Sequence, residues 1–199
     1  MSDQHFAFPA LEIEKKSGDE TFRGVGSHPE MRVNEFWRWA ASDLLSNAMR
    51  GVLAEYIVAN ALGLAGGVRK EWDAFDLRMD DGTRVEVKSA AYLQSWHQRS
   101  LSLIQFGIQP TKGWDAETNL VSTERKRQAD AYVFCLLAHK DQDSIDPLNL
   151  DQWEFYILRS DVLDRECPMQ KSISLSRLLK LGPATAKYNQ IASTIAGLV

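Results

Sequence analysis

Apolar residues recur at helical spacing in the first third of the chain. In "MRVNEFWRWAASDLL", Phe36, Trp37, Ala40 and Leu44 fall on one helical stripe. A second helical pattern follows in "SNAMRGVLAEYIVANALG", where Ser46 is a candidate N-cap. The spacing predicts helical structure from about residue 29 to 64, as two helices or as one kinked helix.

The middle of the chain changes to patterns that are typical of strands. "EWDAFDLRMDDGTRVEVKSA", residues 71–90, predicts a β-hairpin, and alternation returns at Leu101–Ile108. The run "AYVFCLLA" at Ala131–Ala138 is almost wholly apolar, which predicts a central strand buried on both faces. Trp153–Ser160 predicts a further strand.

The remaining segments complete the predicted architecture. Residues 109–128 are polar and predict a loop with some helix. Near the end, "SLSRLLKLGP" and residues 184–199 both predict helices. Helices at both ends of a hairpin-rich middle favour an α/β or α+β domain built on a mixed sheet. We expect residues 1–28 to be a loosely ordered arm and residues 29–199 to form a single domain.

Composition narrows the class of protein only slightly. Hydrophobic residues make up 44% of the 199, but the longest apolar run is too short to span a membrane. The N-terminus lacks the pattern of a secretory signal, and no glycine-rich phosphate-binding motif predicts a nucleotide cofactor. A cytoplasmic protein without a small-molecule cofactor is the expectation. The net charge of −4 neither favours nor excludes a nucleic-acid partner.

The hydrophobic pattern of the hairpin selects one register. A turn at Asp80–Gly82 pairs Leu77 with Val85 and Phe75 with Val87 on a mostly apolar face. On the other face, Arg78 lies opposite Arg84 and Asp76 lies opposite Glu86. A register slipped by one residue would mix polar and apolar side chains on both faces.

This register brings two carboxylates together. Asp76 and Glu86 would have Cβ atoms roughly 4.5–5.5 Å apart, and their repulsion is costly unless it is neutralised. A Mg²⁺ ion would neutralise it, and Lys88, two residues beyond Glu86 on the same face, could then reach a water or a phosphate oxygen. Alternatively, Arg78, Arg84 and Lys88 form ordinary surface ion pairs with the acids.

Glu55 adds a further carboxylate. It lies in "GVLAEYIVANAL", the most apolar part of its predicted helix, where a buried charge would need a partner. If the helix packs against the sheet, Glu55 could complete a metal site. The alternative is a glutamate at the rim of the packed face.

These residues resemble the PD-(D/E)XK nuclease superfamily over about residues 49–160. The elements follow that family's order: a helix with Glu55, Asp76 in "FDL", a hairpin return with Glu86-Val87-Lys88, a helix-prone stretch, and then the apolar strand. The resemblance implies a restriction-endonuclease-like core, a central mixed sheet of about four to five strands flanked by helices. Phe75 departs from the family pattern, which nominally has proline before the aspartate.

The resemblance also implies an activity, the metal-dependent hydrolysis of phosphodiester bonds in DNA. Asp76, Glu86 and the Val87 carbonyl would bind Mg²⁺ or Mn²⁺, Glu55 would hold a further water or metal, and Lys88 would activate the attacking water. DNA contacts would come from residues around the site: Gln94, Arg50, Arg99, Lys112, Arg125, Lys126 and Arg127. Double-strand cleavage would usually need two such sites, so a homodimer is one expected arrangement.

Two other functions remain open at the level of sequence. The chain could be a catalytically silent nucleic-acid-binding or assembly module on the same fold. It could also be an interaction domain that has nothing to do with nucleic acid and docks a partner through its apolar C-terminal stripe. The intact Asp76, Glu86 and Lys88 set favours the nuclease over the silent module.

Overall fold

A computed structural model describes residues 8, 11–26, 28, 31–71, 73–115 and 120–199. The helices within these ranges are α1 Val33–Ala41, α2 Asn47–Ala61, α3 Ser160–Glu166, α4 Leu175–Lys180 and α5 Ile191–Leu198. The strands are β1 Leu77–Arg78, β2 Arg84–Ala91, β3 Gln105–Gly107, β4 Thr111–Asp115, β5 Leu120–Lys126, β6 Ala131–Leu137, β7 Trp153–Arg159, β8 Ser172–Ser174 and β9 Ala184–Ala186.

A five-stranded mixed sheet organises the chain, in the order β1-β2-β6-β7-β9. Strands β2 and β6 are parallel, with Val85 beside Ala131, and the other neighbours are antiparallel. Two small antiparallel sheets, β3-β8 and β4-β5, lie outside it. The predicted α/β class and the central mixed sheet flanked by helices are therefore confirmed.

Strand β6 is the centre of the core. All seven of its residues are buried, as its unbroken apolar sequence predicts. Val133, Cys135 and Leu137 belong to a cluster that α2 and α5 cover, whereas Phe134 and Leu136 belong to a second cluster on the other face. The sheet is thus packed on both sides, and β1 forms one of its edges.

The N-terminal helical pattern resolves into two helices rather than one kinked helix. The predicted N-cap of α2 is confirmed, since the Ser46 hydroxyl accepts a hydrogen bond from the Met49 amide. The second helix buries Ala54, Ile57 and Val58 against the sheet. Among the helices that the structure describes, none combines the length and the apolar composition needed to cross a membrane.

Three predicted elements were wrong. Residues 109–128 contain the β4–β5 hairpin rather than a loop with some helix, and residues 92–104, after β2, contain no helix. The predicted C-terminal helix begins only at Ile191, because residues Ala184–Ala186 pair with β7 as an edge strand. In each case pairing or packing with distant segments overrode the local propensity.

Candidate active site

The β1–β2 hairpin has the register that the sequence predicts. Leu77 lies opposite Val85 and Arg78 opposite Arg84. Gly82 closes the turn with φ of 91°, a left-handed conformation that glycine adopts without strain. The repulsion between Arg78 and Arg84 is reduced by a residue outside the hairpin, because Arg84 forms a bidentate ion pair with Asp130, at 2.6 and 3.0 Å.

The pairing between β1 and β2 ends at Leu77, so Asp76 lies just outside the ladder. Strand β1 begins only at Leu77, and one carboxylate oxygen of Asp76 accepts the Val87 amide proton at 2.7 Å. The side chain thereby replaces the backbone acceptor that a longer β1 would have supplied. Two predicted pairs, Asp76 with Glu86 and Phe75 with Val87, are therefore not part of the ladder. Phe75 instead packs against the second core cluster, and the Arg78 guanidinium lies 5.0 Å from its ring centre.

Glu86 and Lys88 alternate with the buried residues of β2. Side chains of a strand point to opposite faces in turn, so these two share the face of Tyr132 and Phe134, their neighbours on β6. The Lys88 ammonium forms an ion pair with the Glu86 carboxylate. The two side chains are 30% and 18% exposed respectively, so water reaches them.

The electrostatics of Asp76 indicate an excess of negative charge. Burial, and after it the charge of Glu86, raise the pKa of its carboxyl, which is about 7 rather than the usual 3.8. The Val87 amide and the Lys88 ammonium lower this pKa but do not offset the rise. The charge of Glu55 adds to the increase, which shows that α2 brings this glutamate into the same field. Such perturbed carboxyl groups are typical of functional sites.

Glu55 lies at the rim of the packed face of α2, with a side chain that is 16% exposed. Both of its oxygens are bound by the Arg69 guanidinium, one of them at 2.9 Å. Arg69 was missed in the sequence analysis. It precedes Asp76 by seven residues in "GGVRKEWDAFD", and no spacing rule connects a loop arginine with a helix residue fourteen positions earlier.

The donor set at this edge fits a hard divalent cation in part. Asp76 and Glu86 offer carboxylate oxygens, and the Val87 carbonyl points to the same edge as its amide, because both groups of a strand residue face one neighbour. Within the described ranges, however, no three His, Cys, Asp or Glu side chains are arranged to hold a metal ion. The ion pairs with Lys88 and Arg69 hold Glu86 and Glu55 in their present positions.

Three of the residues predicted to contact DNA are held by hydrogen bonds within the domain; Arg50 and Arg127 are buried and Gln94 is half-buried. Arg50 is 3% exposed and donates to the Leu45 carbonyl and to the side chains of Asn47 and Gln94. Gln94 is held in turn through its amide by the Ala91 carbonyl and by Ser102. These bonds tie the start of α2 to the loop that follows β2.

Arg127 is the third of these residues. It is 6% exposed and donates to the Ile108 and Cys167 carbonyls and to Asp164. Arg99, Lys112, Arg125 and Lys126 are exposed. The structure therefore separates the predicted contact residues into an internal and an external group.

Comparison with known proteins gives one match. The family model described as bacteriophage T4 endonuclease IV matches residues 31–177, nearly three quarters of the chain. The matched range begins before α1 and includes the β1–β2 hairpin, Glu55 and Arg69. No curated protein and no solved structure matches the chain.

Proposed function

The chain belongs to the bacteriophage T4 endonuclease IV family, and we propose that it is a metal-dependent endonuclease that hydrolyses phosphodiester bonds in DNA. The observation that carries this proposal is the hydrogen bond from the Val87 amide to Asp76, which holds this carboxylate at the edge of β2, in the electrostatic field of Glu86 and Lys88. Two carboxylates at the open edge of a sheet, one of them with a strongly raised pKa, need a cation to be stable together when ionised.

We further propose that the domain is a member of the PD-(D/E)XK superfamily. The order of its elements supports this assignment: α2 with Glu55, the hairpin with Asp76, and Glu86-Val87-Lys88 on β2, beside the buried parallel strand β6. Among the described residues between β2 and β6, there is no helix of the kind that the sequence resemblance led us to expect. The connection from β2 to β6 contains β3, β4 and β5 instead.

In this proposal Asp76, Glu86 and the Val87 carbonyl hold Mg²⁺ or Mn²⁺. Such an ion offsets charge on a phosphate and favours hydroxide over water. The Val87 amide keeps one Asp76 oxygen fixed and leaves the other available. Once the Glu86 charge is engaged elsewhere, the Lys88 ammonium is free to orient a water or to donate to a phosphate oxygen.

Glu55 has a supporting role in the same proposal. Its present partner, Arg69, is 39% exposed and can swing away from the site without disturbing the core. Glu55 would then accept a hydrogen bond from a water at the edge of the site. Arg69, whose guanidinium also lies in the field of Asp76, would be placed to meet a phosphate.

One observation favours a different function on the same fold. Glu86 and Glu55 already have cationic partners within the protein, as the acids of a catalytically silent binding module would. The silent module therefore remains the second candidate, and cleavage assays separate the two.

The test uses plasmid, linear duplex and single-stranded DNA, with Mg²⁺, with Mn²⁺ and with chelator. We expect cleavage that needs the metal and that falls at least about 10²-fold in Asp76→Asn and in Lys88→Met, a loss typical of catalytic groups. Asp81→Asn, in the turn of the same hairpin, is the matched control and should retain full activity. Cleavage that persists in both site variants would show that this site does not cut DNA.

A further inference from the structure

The β4–β5 hairpin is the part of the structure that neither the sequence prediction nor the proposed chemistry explains. Its strands form a separate two-stranded sheet, with Thr111 opposite Lys126 and Lys112 opposite Arg125. A register shift between Lys112 and Trp114 adds a bulge, which increases the local twist. The hairpin therefore presents its polar residues on a defined surface rather than on an irregular loop.

One face of this hairpin carries two opposed cations. Directly opposite residues of an antiparallel pair lie on the same face, so the side chains of Lys112 and Arg125 stand side by side. Both are exposed, and neither forms an ion pair with any side chain that the structure describes. Like charges in this position are unfavourable, and an anionic partner would reverse the sign of the interaction.

The base of the hairpin is held rigidly. Arg127, directly after β5, donates from a buried guanidinium to the carbonyls of Ile108 and Cys167 at 2.9 and 2.7 Å. The Gln128 amide donates to the Thr111 carbonyl, and its side chain lies about 3.1 Å from where a Cβ on Gly113 would be. The strands that carry the two cations are therefore fixed to the domain and cannot move freely in solvent.

The hairpin also joins the sheet close to the candidate active site. The four steps along the chain from Lys126 to Asp130 span at most about 14 Å, and the Asp130 amide donates to the Arg84 carbonyl, two residues before Glu86. Lys126 thus lies within about 26 Å of Glu86, which is about eight steps of 3.4 Å along one DNA strand. Arg127 donates to the carbonyls of Ile108 and Cys167, which belong to the same core cluster as Tyr132, the neighbour of Glu86 on β6, so the base of the hairpin and the site share one face of the sheet.

We propose that the Lys112–Arg125 face of the β4–β5 hairpin binds the phosphate backbone of DNA beside the bond to be cut. The inference rests on the proposed nuclease function and adds the surface that holds the substrate. Two cations opposed on a rigid ribbon match phosphates in sequence-independent contacts, which position the nucleic acid without specifying bases. Duplex and single-stranded DNA offer this same chemistry, and the two arms of the test distinguish them.

The test measures binding separately from cleavage. An Asp76→Asn protein, which should not cut, is titrated against a fluorescent duplex and against one of its single strands, without divalent metal, at several salt concentrations. The logarithm of the association constant K falls linearly with the logarithm of the salt concentration. Removing one phosphate contact should make this slope less steep, by about 0.9 on duplex and about 0.7 on single strands. If the two proteins bind equally at 1 M salt, this difference in slope over one decade makes duplex binding by Lys112→Ala or Arg125→Ala about eightfold weaker than that of the parent at 0.1 M salt.

Matched controls exclude effects of net charge and of folding. Lys187→Ala removes one exposed cation just after β9, at the sheet edge opposite β1, and should leave the slope unchanged. Arg125→Lys keeps the charge and should restore most of the binding. In the active protein, Lys112→Ala should raise KM in proportion to the weaker binding and leave kcat nearly constant.

The possible failures can be told apart. If the parent protein binds DNA but Lys112→Ala and Arg125→Ala match Lys187→Ala in slope and affinity, the hairpin is not the contact surface and the nuclease proposal stands. If the protein with an intact site neither binds nor cuts any DNA, the nuclease proposal and the inference both fail.

Discussion

Replacing Asp76 by asparagine should stabilise the protein at alkaline pH. The pKa of Asp76 lies at about 7 in the folded protein, against 3.8 for the free group, because burial and the charge of Glu86 disfavour ionisation. A shift of about three pKa units corresponds to about 4 kcal/mol at about 1.4 kcal/mol per unit. At pH 8 the folded wild type bears this cost, and a neutral carboxamide of the same shape does not.

One loss reduces the gain. The carboxamide oxygen can still accept the Val87 amide proton, and the effect of that bond on the carboxylate is already contained in the net pKa. The new NH₂ group, however, needs a hydrogen-bond partner, and a buried donor without one costs about 1–3 kcal/mol. We therefore expect a net increase of about 1–3 kcal/mol in the free energy of unfolding at pH 8, and each kcal/mol shifts Tm by about 2–4 °C in a chain of this size.

The dependence on pH identifies the cause. Because the folded pKa of Asp76 is raised, its contribution to stability is fully present below about 3.8 and is lost as the pH rises through about 7. The gain in Asp76→Asn should accordingly be absent near pH 4 and complete near pH 8, in chemical denaturation with chelator present. Asp81, an exposed turn residue whose pKa is lowered by hydrogen bonds from Thr83, is the control. Asp81→Asn should be no more stable than wild type, and an Asp76→Asn protein that likewise gains nothing at pH 8 would refute the electrostatic explanation.

Three further predictions follow from the same contacts. Saturation with Mg²⁺ at about 100 times its dissociation constant should stabilise the wild type by about 2.7 kcal/mol at pH 8 in thermal melts, and Asp76→Asn should lose this response. Arg127→Met should cost about 3–5 kcal/mol of unfolding free energy, because it leaves buried carbonyls without donors, whereas Arg125→Met should be nearly neutral. Arg69→Gln leaves Glu55 unpaired beside Asp76, so the midpoint of the pH-dependent loss of stability should move to higher pH; an unchanged midpoint would contradict the proposed coupling.

The hairpin of the site could be predicted because its signals are local. The turn at Asp80–Gly82 and the alternation of apolar residues on both sides of it determine one register, and the structure has that register. The buried strand β6 was predictable for a similar reason, since only a strand covered on both faces is apolar at every position.

The parts that could not be predicted depend on distant partners. The β4–β5 hairpin is polar and makes a sheet of its own, so neither strand has the apolar face on which sequence patterns depend. Likewise, Ala184–Ala186 forms a strand only because the edge of β7 is available to pair with it.

Within the site, too, contacts between residues distant in sequence could not be predicted. The shared face of Glu86 and Lys88 follows from the alternation of one strand, whereas the pairing of Glu55 with Arg69 depends on how a helix and a loop meet. The sequence likewise did not show that Arg50 and Arg127 are internal, because a cation surrounded by carbonyls has no local pattern that distinguishes it from a surface cation.

The hydrogen bond between the Asp76 side chain and the Val87 amide has a consequence for how this site can vary. A carboxylate held by the main chain of its own sheet does not depend on the identity of its side-chain neighbours. Apart from Arg69, the loop before it, residues 66–71, 73 and 74, can therefore change in sequence while the carboxylate keeps its hydrogen bond to Val87. Related proteins could in this way acquire different surfaces around an unchanged acidic centre, with the diversity concentrated in the segment that leads into the hairpin.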